Sequence, residues 1–147
     1  MYQKVTIAGY LGRDPEMRYL PSGQPVCNFS VATSRKWTGQ DGVQHNETVW
    51  WRVAVWGKQA EICNQYLEKG RPVLVEGRVS GERLAQSDGG EQIVPRVWTG
   101  QDGQPRASFE MTADRVIFLS GRGGAAEAPG AAPDTDVEEP PEEEIPF

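Results

Sequence analysis

The chain has 147 residues with 15 Lys and Arg against 21 Asp and Glu, a net charge of −6, which bounds it to one ordinary domain plus an appendage. The charge is unevenly divided: residues 1–122 hold all 15 bases with 13 acids, net +2, whereas residues 123–147 hold 8 acids and no base, net −8. The pI of 4.8 therefore mostly describes the tail, and overall acidity does not exclude a polyanionic ligand, because the field that a ligand meets is local.

Cys27 and Cys63 lie in separate elements with no C-x-x-C spacing, so neither a metal knuckle nor a disulfide framework is indicated. The first run reaches Arg13-Asp14-Pro15 too soon for a signal h-region or a membrane span. A soluble, cytoplasmic protein in a reducing compartment, with no membrane contact, is expected.

From Lys4 to Gly12, Val5, Ile7, Gly9 and Leu11 alternate on one side, and Arg13-Asp14-Pro15 ends this first strand. Arg18 and Tyr19 lead into a turn at Pro21-Ser22-Gly23. A second half-buried strand follows, with Cys27, Phe29, Val31 and Thr33 on its apolar side, and it runs out through Arg35-Lys36-Trp37 into the hairpin signal Asp41-Gly42. Cys27 reads as a small core residue.

The third strand, Thr48 to Trp56, contains three of the five tryptophans. Val49, Trp51, Val53 and Val55 form a wholly apolar side suited to a core. The other side carries Thr48, Trp50, Arg52, Ala54 and Trp56. Two tryptophans flanking an arginine suit a ligand that alternates planar rings with negative charge, such as single-stranded nucleic acid. Burial of both sides by a second sheet or a neighbouring subunit is the alternative.

Beyond Gly57, Ile62, Cys63, Tyr66 and Leu67 follow helical spacing within Gln59 to Glu68, with Lys69-Gly70 as basic last turn and C′ glycine. Pro72 to Ser80 resumes alternation through Val73, Val75 and Val79, and Ala107 to Phe118 gives a last strand with Phe109 and Met111 on one side. The fold class is all-β: a five-stranded OB barrel with one short helix between the third and fourth strands. The stretch between the last two strands, Gly81 to Arg106, is long enough to be functional or disordered. Within it Trp98-Thr99-Gly100-Gln101-Asp102-Gly103 repeats Trp37-Thr38-Gly39-Gln40-Asp41-Gly42 letter for letter. Turn chemistry accounts for the Asp-Gly letters but not for the tryptophans.

From Gly121 the chain becomes Gly, Ala, Pro and acid, the composition of a disordered segment. The organisation expected is a folded domain over 1–120, a flexible linker over 121–137 and an acidic tip over 138–147. The tip ends Glu142-Glu143-Glu144-Ile145-Pro146-Phe147, and its two large apolar residues favour a short peptide ligand for another protein over a solubilising coat.

Gly12-Arg13-Asp14-Pro15-Glu16, Arg18-Tyr19, Ala32-Thr33, Trp50 through Val53, Gly57-Lys58, Tyr66-Leu67, Lys69-Gly70, Glu76-Gly77 and the terminal Ile-Pro-Phe together resemble the bacterial single-stranded DNA-binding protein family. The resemblance covers essentially the whole chain. It implies a homotetramer of OB domains that coats single-stranded DNA, and a disordered tail that recruits replication, repair and recombination enzymes. It puts the stacking aromatics on Trp37, Trp50, Trp56 and Trp98, with Trp56 where a phenylalanine is usual. Phosphate contacts are implied at Arg18, Arg52, Lys58, Lys69 and Arg96. The connection before the last strand is longer than in enterobacterial members, and Trp51 stands where a histidine at the subunit interface is familiar.

An enzyme needs a cluster that activates a nucleophile or holds a metal, and this chain has one His, His45, in a polar hairpin. No catalysis, cofactor or metal is expected. An oligosaccharide-binding or RNA-binding OB module is the competing reading, and the acidic Ile-Pro-Phe tip argues against it.

Overall fold

In the computed structural model, which describes residues 2–119, the alternating runs form the strands of a closed barrel. These are β1 (Val5–Leu11), β3 (Pro25–Thr38), β4 (Gln44–Trp56), β5 (Pro72–Ser80) and β10 (Phe109–Phe118), with the short helix α1 (Lys58–Tyr66) between β4 and β5. The sheet order is β1-β5-β10-β4-β3, and β1 closes the barrel by pairing again with β3 at Tyr10 and Leu11. β10 runs parallel to β4 and antiparallel to β5, with a register irregularity between Ala113 and Arg115.

Alternation predicts the inward set well. Ile7, Leu11, Cys27, Phe29, Val31, Val53, Val55, Val73, Val75, Met111, Ala113 and Val116 form one buried cluster, with α1 contributing Ala60 and Cys63. Burial pushes the Cys27 thiol up to about 11; burial, followed by the neighbouring Cys27, pushes Cys63 up to about 12. Both thiols therefore stay protonated at neutral pH and act as small apolar packing groups. Trp51 is half-buried, packs against the same cluster and tilts against Phe109 at a centroid distance of 5.6 Å.

Four local expectations are corrected. Arg18 and Tyr19 belong to a short strand, β2 (Glu16–Tyr19), whose pairing with Pro25–Asn28 outweighs its polar sequence. The buried stripe at the helix is Ala60, Cys63 and Leu67, at i, i+3 and i+7, whereas Ile62 and Tyr66 are exposed. The helix is only nine residues long, and the small side chains of Ala60 and Cys63 allow close approach to β3. Leu67 is already extended, so Lys69-Gly70 does not cap the helix; it forms the next turn, closed by Arg71 N–H donating to Glu68 O at 3.1 Å. Phe109 is exposed despite sharing parity with Met111, because it stands where the barrel core ends.

The long connection 81–106 is ordered into two hairpins, β6–β7 (Glu82–Ala85 with Glu91–Val94) and β8–β9 (Val97–Thr99 with Pro105–Ala107). The turns of β3–β4, β6–β7 and β8–β9 share one geometry. A glycine at positive φ (Gly42 at 77°, Gly89 at 83°, Gly103 at 75°) follows an aspartate whose Oδ1 accepts from the backbone N–H two residues on. Only glycine adopts that φ without strain, which is why Asp-Gly is so strong a signal.

Candidate nucleic-acid interface

Once Val53 and Val55 point inward, the pleat fixes Trp50, Arg52, Ala54 and Trp56 on the outer face of β4, in a row about 20 Å long. Register supplies their neighbours. Trp50 lies opposite Ala32, Arg52 opposite Ser30 and beside Glu110 of β10, and Trp56 opposite Val26, which is itself opposite Arg18 of β2. Arg18 and Trp56 thus close one end of the row and Trp50 the other. Trp56 is 41% exposed, a large aromatic surface left in water.

Trp50 is half-buried against the chain turning out of β1. A Cβ built on Gly12 falls 2.4 Å from the Trp50 ring and 3.0 Å from Ser30 Oγ, so only glycine lets the indole lie flat there. Ser30 Oγ and Trp50 Nε1 are buried without a hydrogen-bond partner among the described residues. Buried polar groups of this kind are unusual away from functional surfaces.

Trp98 is brought to this face by the β8–β9 hairpin: the Arg52 guanidinium carbon lies 5.5 Å from its ring centroid, a cation–π contact. Arg96, two residues before it, places Nε 3.4 Å from Glu110 Oε1. Burial lowers the Arg52 pKa; Glu110 opposes the shift, and the nearby Arg13 and Arg96 charges add to it. Arg13, Asn28, Arg52, Ser80 and Glu110 line a shallow recess in the same face.

Of the residues singled out from sequence, Trp50, Arg52, Trp56, Trp98, Arg96 and Arg18 converge on this outer face. Lys58 opens α1 two residues after Trp56. Lys69 sits beside the Arg13-Asp14 turn, its backbone N–H donating to Asp14 Oδ1 at 2.7 Å. Trp37 stands apart. It lies far out on the β3–β4 ribbon, by alternation on the side opposite Trp50, and stacks on His45 with centroids 4.3 Å apart and planes 19° apart. Arg13, Ser30 and Glu110 were missed, although Arg13 was legible as the base directly before the turn that ends β1. The tip residues Glu142, Glu143, Glu144, Ile145, Pro146 and Phe147 lie outside the described residues. No described helix is long and apolar enough to cross a membrane, and among the described residues no group of three His, Cys, Asp or Glu is arranged to hold a metal ion.

A closed five-stranded barrel with a helix between its third and fourth strands, bearing aromatics and arginines on one outer face, defines an OB-fold binding domain. The family model described as "Single-strand binding protein family" matches residues 2–119, and the chain belongs to that family. It is 40% identical over 130 residues to a single-stranded DNA-binding protein of Neisseria meningitidis, covering 88% of this chain and 65% of the relative. A protein of the same description from Wolinella succinogenes is 39% identical, covering 85% of this chain and 68% of the relative. Among solved structures, a deletion mutant of the single-stranded DNA binding protein from Thermus aquaticus superposes with a TM-score of 0.61 at 29% identity, over 83% of this chain and 52% of that one. The Plasmodium falciparum SSB complex with ssDNA gives a TM-score of 0.60 at 24% identity, over 82% of this chain and 96% of that one, a likeness of fold. The chain thus spans about two thirds of the length of the first relative and half that of the Thermus protein.

Proposed function

We propose that the protein binds single-stranded DNA without regard to sequence and protects it during replication, repair and recombination. The observation that carries this reading is the outer face of β4, where Trp50, Arg52 and Trp56 follow one another and Trp98 folds over Arg52. Indoles stack on any base, and guanidiniums meet phosphates, so the face suits a strand whatever its sequence. In this reading Trp37, Trp50, Trp56 and Trp98 stack on bases, and Arg18, Arg52, Lys58, Lys69 and Arg96 contact phosphates.

The finer organisation belongs to the same proposal. One OB domain covers about 4 to 16 nucleotides, so coating a long strand favours a homotetramer, and the exposed Phe109 beside Trp51 offers apolar surface for assembly. The segment 121–137 serves as linker. The tip at 138–147 docks replication, repair and recombination enzymes, with Phe147 as apolar anchor and the glutamates meeting a basic rim. The site of action is the nucleoid in the cytoplasm.

Titration of intrinsic tryptophan fluorescence with oligo-dT at several salt concentrations tests the reading. Strong quenching is expected, with affinity falling by roughly 0.7 log units per phosphate contact per log unit of salt. Unquenched fluorescence with oligo-dT in excess rules it out.

A further inference from the structure

The outer face holds a carboxylate where a phosphate-binding surface has no obvious use for one. Glu110 of β10 stands beside Arg52 in the parallel register and opposite Ser80 of β5. Its side chain is only 13% exposed, its Oε1 accepts from Ser108 Oγ at 2.6 Å, and Arg96 Nε lies 3.4 Å from the same oxygen. A carboxylate so enclosed is held by its partners, in contrast to the exposed ion pairs Arg83–Glu91 across the β6–β7 hairpin and Arg71–Glu68 in the turn before β5.

We infer that Glu110 is a built-in counter-ion, holding Arg52 and Arg96 in the free protein and opposing the arrival of a strand's phosphate at the same guanidiniums. This inference rests on the reading of the face as a single-stranded DNA site. Arg106 stands opposite Trp98 in its own hairpin, whereas Arg52, over the ring, and Arg96, two residues before it, are the guanidiniums beside Glu110, so a nucleotide stacked on Trp98 brings its phosphate to them. A phosphate bonded to the far side of a guanidinium that Glu110 already faces comes to about 6 Å from the carboxylate. At that separation in a partly desolvated site, like-charge repulsion amounts to about tenfold in affinity. Glu110 therefore sets a ceiling on affinity at this point of the face and offsets part of the repulsion that Arg13 and Arg96 exert on Arg52 when no strand is bound.

The test uses the full chain and oligo-dT, with affinity and its salt dependence measured for wild type, Glu110→Gln, Glu110→Asp, Arg52→Ala and Glu82→Gln, and folding checked by thermal melting. Glu110→Gln keeps the shape and the bond to Ser108 but removes the charge. It is expected to bind about tenfold more tightly at low salt, with a salt slope steeper by roughly 0.7 for each guanidinium released. Glu110→Asp retracts the carboxylate without changing net charge and is expected to gain about twofold, which keeps the test open should the glutamine variant not fold. Glu82→Gln removes one charge from β6, outside the recess that Glu110 lines, and should change nothing. An unchanged or weakened Glu110→Gln, or an equal gain in Glu82→Gln, overturns the role of Glu110 while Arg52→Ala still weakens binding. If Arg52→Ala also binds as wild type, the reading of the face itself has failed.

Discussion

The hexapeptide Trp-Thr-Gly-Gln-Asp-Gly occurs at 37–42 and at 98–103, and the two copies adopt one turn while doing different things with their tryptophans. Gly39 N–H donates to Val43 O and Gly100 N–H to Gln104 O, each at 2.8 Å, and Trp37 and Trp98 occupy matching places, opposite His45 and Arg106. The first turn caps strands continuous with the barrel through thirteen register pairs; the second caps a ribbon of three. His45 covers one face of Trp37, whereas Trp98 is met by Arg52 from another element. Local sequence thus dictates the backbone turn, and long-range register decides what the indole beside it faces.

The largest expected effect follows from that contrast. Trp98→Ala removes a stacking ring and the surface against which Arg52 is oriented, so it should cost about 2 to 3 kcal/mol of oligo-dT affinity, the upper part of the range for one base stack. Trp37→Ala removes a ring that has no such partner and should cost about 1 kcal/mol. Isothermal titration of both variants decides the order. Equal losses would mean that the two hairpins present their tryptophans equivalently to DNA.

The same contrast marks what could be read from the sequence. Val53, Val55, Phe29 and Met111 were legible as core because alternation is a local property. The three Asp-Gly turns follow from the φ that only glycine adopts freely. The β2 strand was not legible, since its four residues, Met17 alone of them packed on the core, form a strand only by pairing with β3. Nor was the proximity of Glu110 to Arg52, 58 positions apart, because only the β4–β10 register sets them side by side. The helix misleads for a third reason: its apolar spacing joins Ile62 and Tyr66 to Cys63 and Leu67, yet close packing on β3 selects the small Ala60 and Cys63 and leaves the two larger residues exposed.

If the two turns are equivalent, Gly42→Ala and Gly103→Ala should each cost about 1 kcal/mol of local stability, since both glycines sit at positive φ with open space for a methyl group. Hydrogen exchange at the Gly39 and Gly100 amides reads that cost directly. Exchange at Gly100 should be faster in both wild type and variant, because the three-pair ribbon opens more readily than the barrel strands.

A smaller effect, in the second turn, depends on pH. The Gln104 backbone N–H and then the Arg106 guanidinium hold the Asp102 carboxyl below the usual carboxylate range. A depressed folded pKa means that the charged form stabilises the turn. This contribution is present above about pH 4, the ordinary aspartate value, and is lost as pH falls through the depressed one. Exchange at the β8–β9 amides should therefore speed up, after correction for intrinsic rates, only in the acid range. Asp102→Ala should show no such step, and Arg106→Ala should move the midpoint only part of the way back, because the backbone bond is the larger cause.

The smallest effect lies at the cross-strand partners themselves. The near-parallel stack of His45 on Trp37 is exposed, so His45→Ala loses about 0.5 kcal/mol of ring–ring contact, the low end for an aromatic pair. For DNA affinity two consequences oppose each other: a second indole face becomes available, and Trp37 must be ordered on binding where His45 ordered it before. These nearly cancel, and the dissociation constant should stay within about twofold of wild type. Exchanging the partners is more informative than deleting one. His45→Arg gives the first hairpin the cation that stands opposite Trp98 in the second, with Asp41 placed over Gly39 as Asp102 is over Gly100. If a cation at this position reaches the strand's backbone, the salt slope should steepen by roughly 0.7 in His45→Arg and flatten by the same amount in Arg106→His. Slopes unchanged in both would mean that the position opposite the tryptophan only shapes the hairpin, and that the two copies differ in what meets their indoles but not in how they meet phosphate.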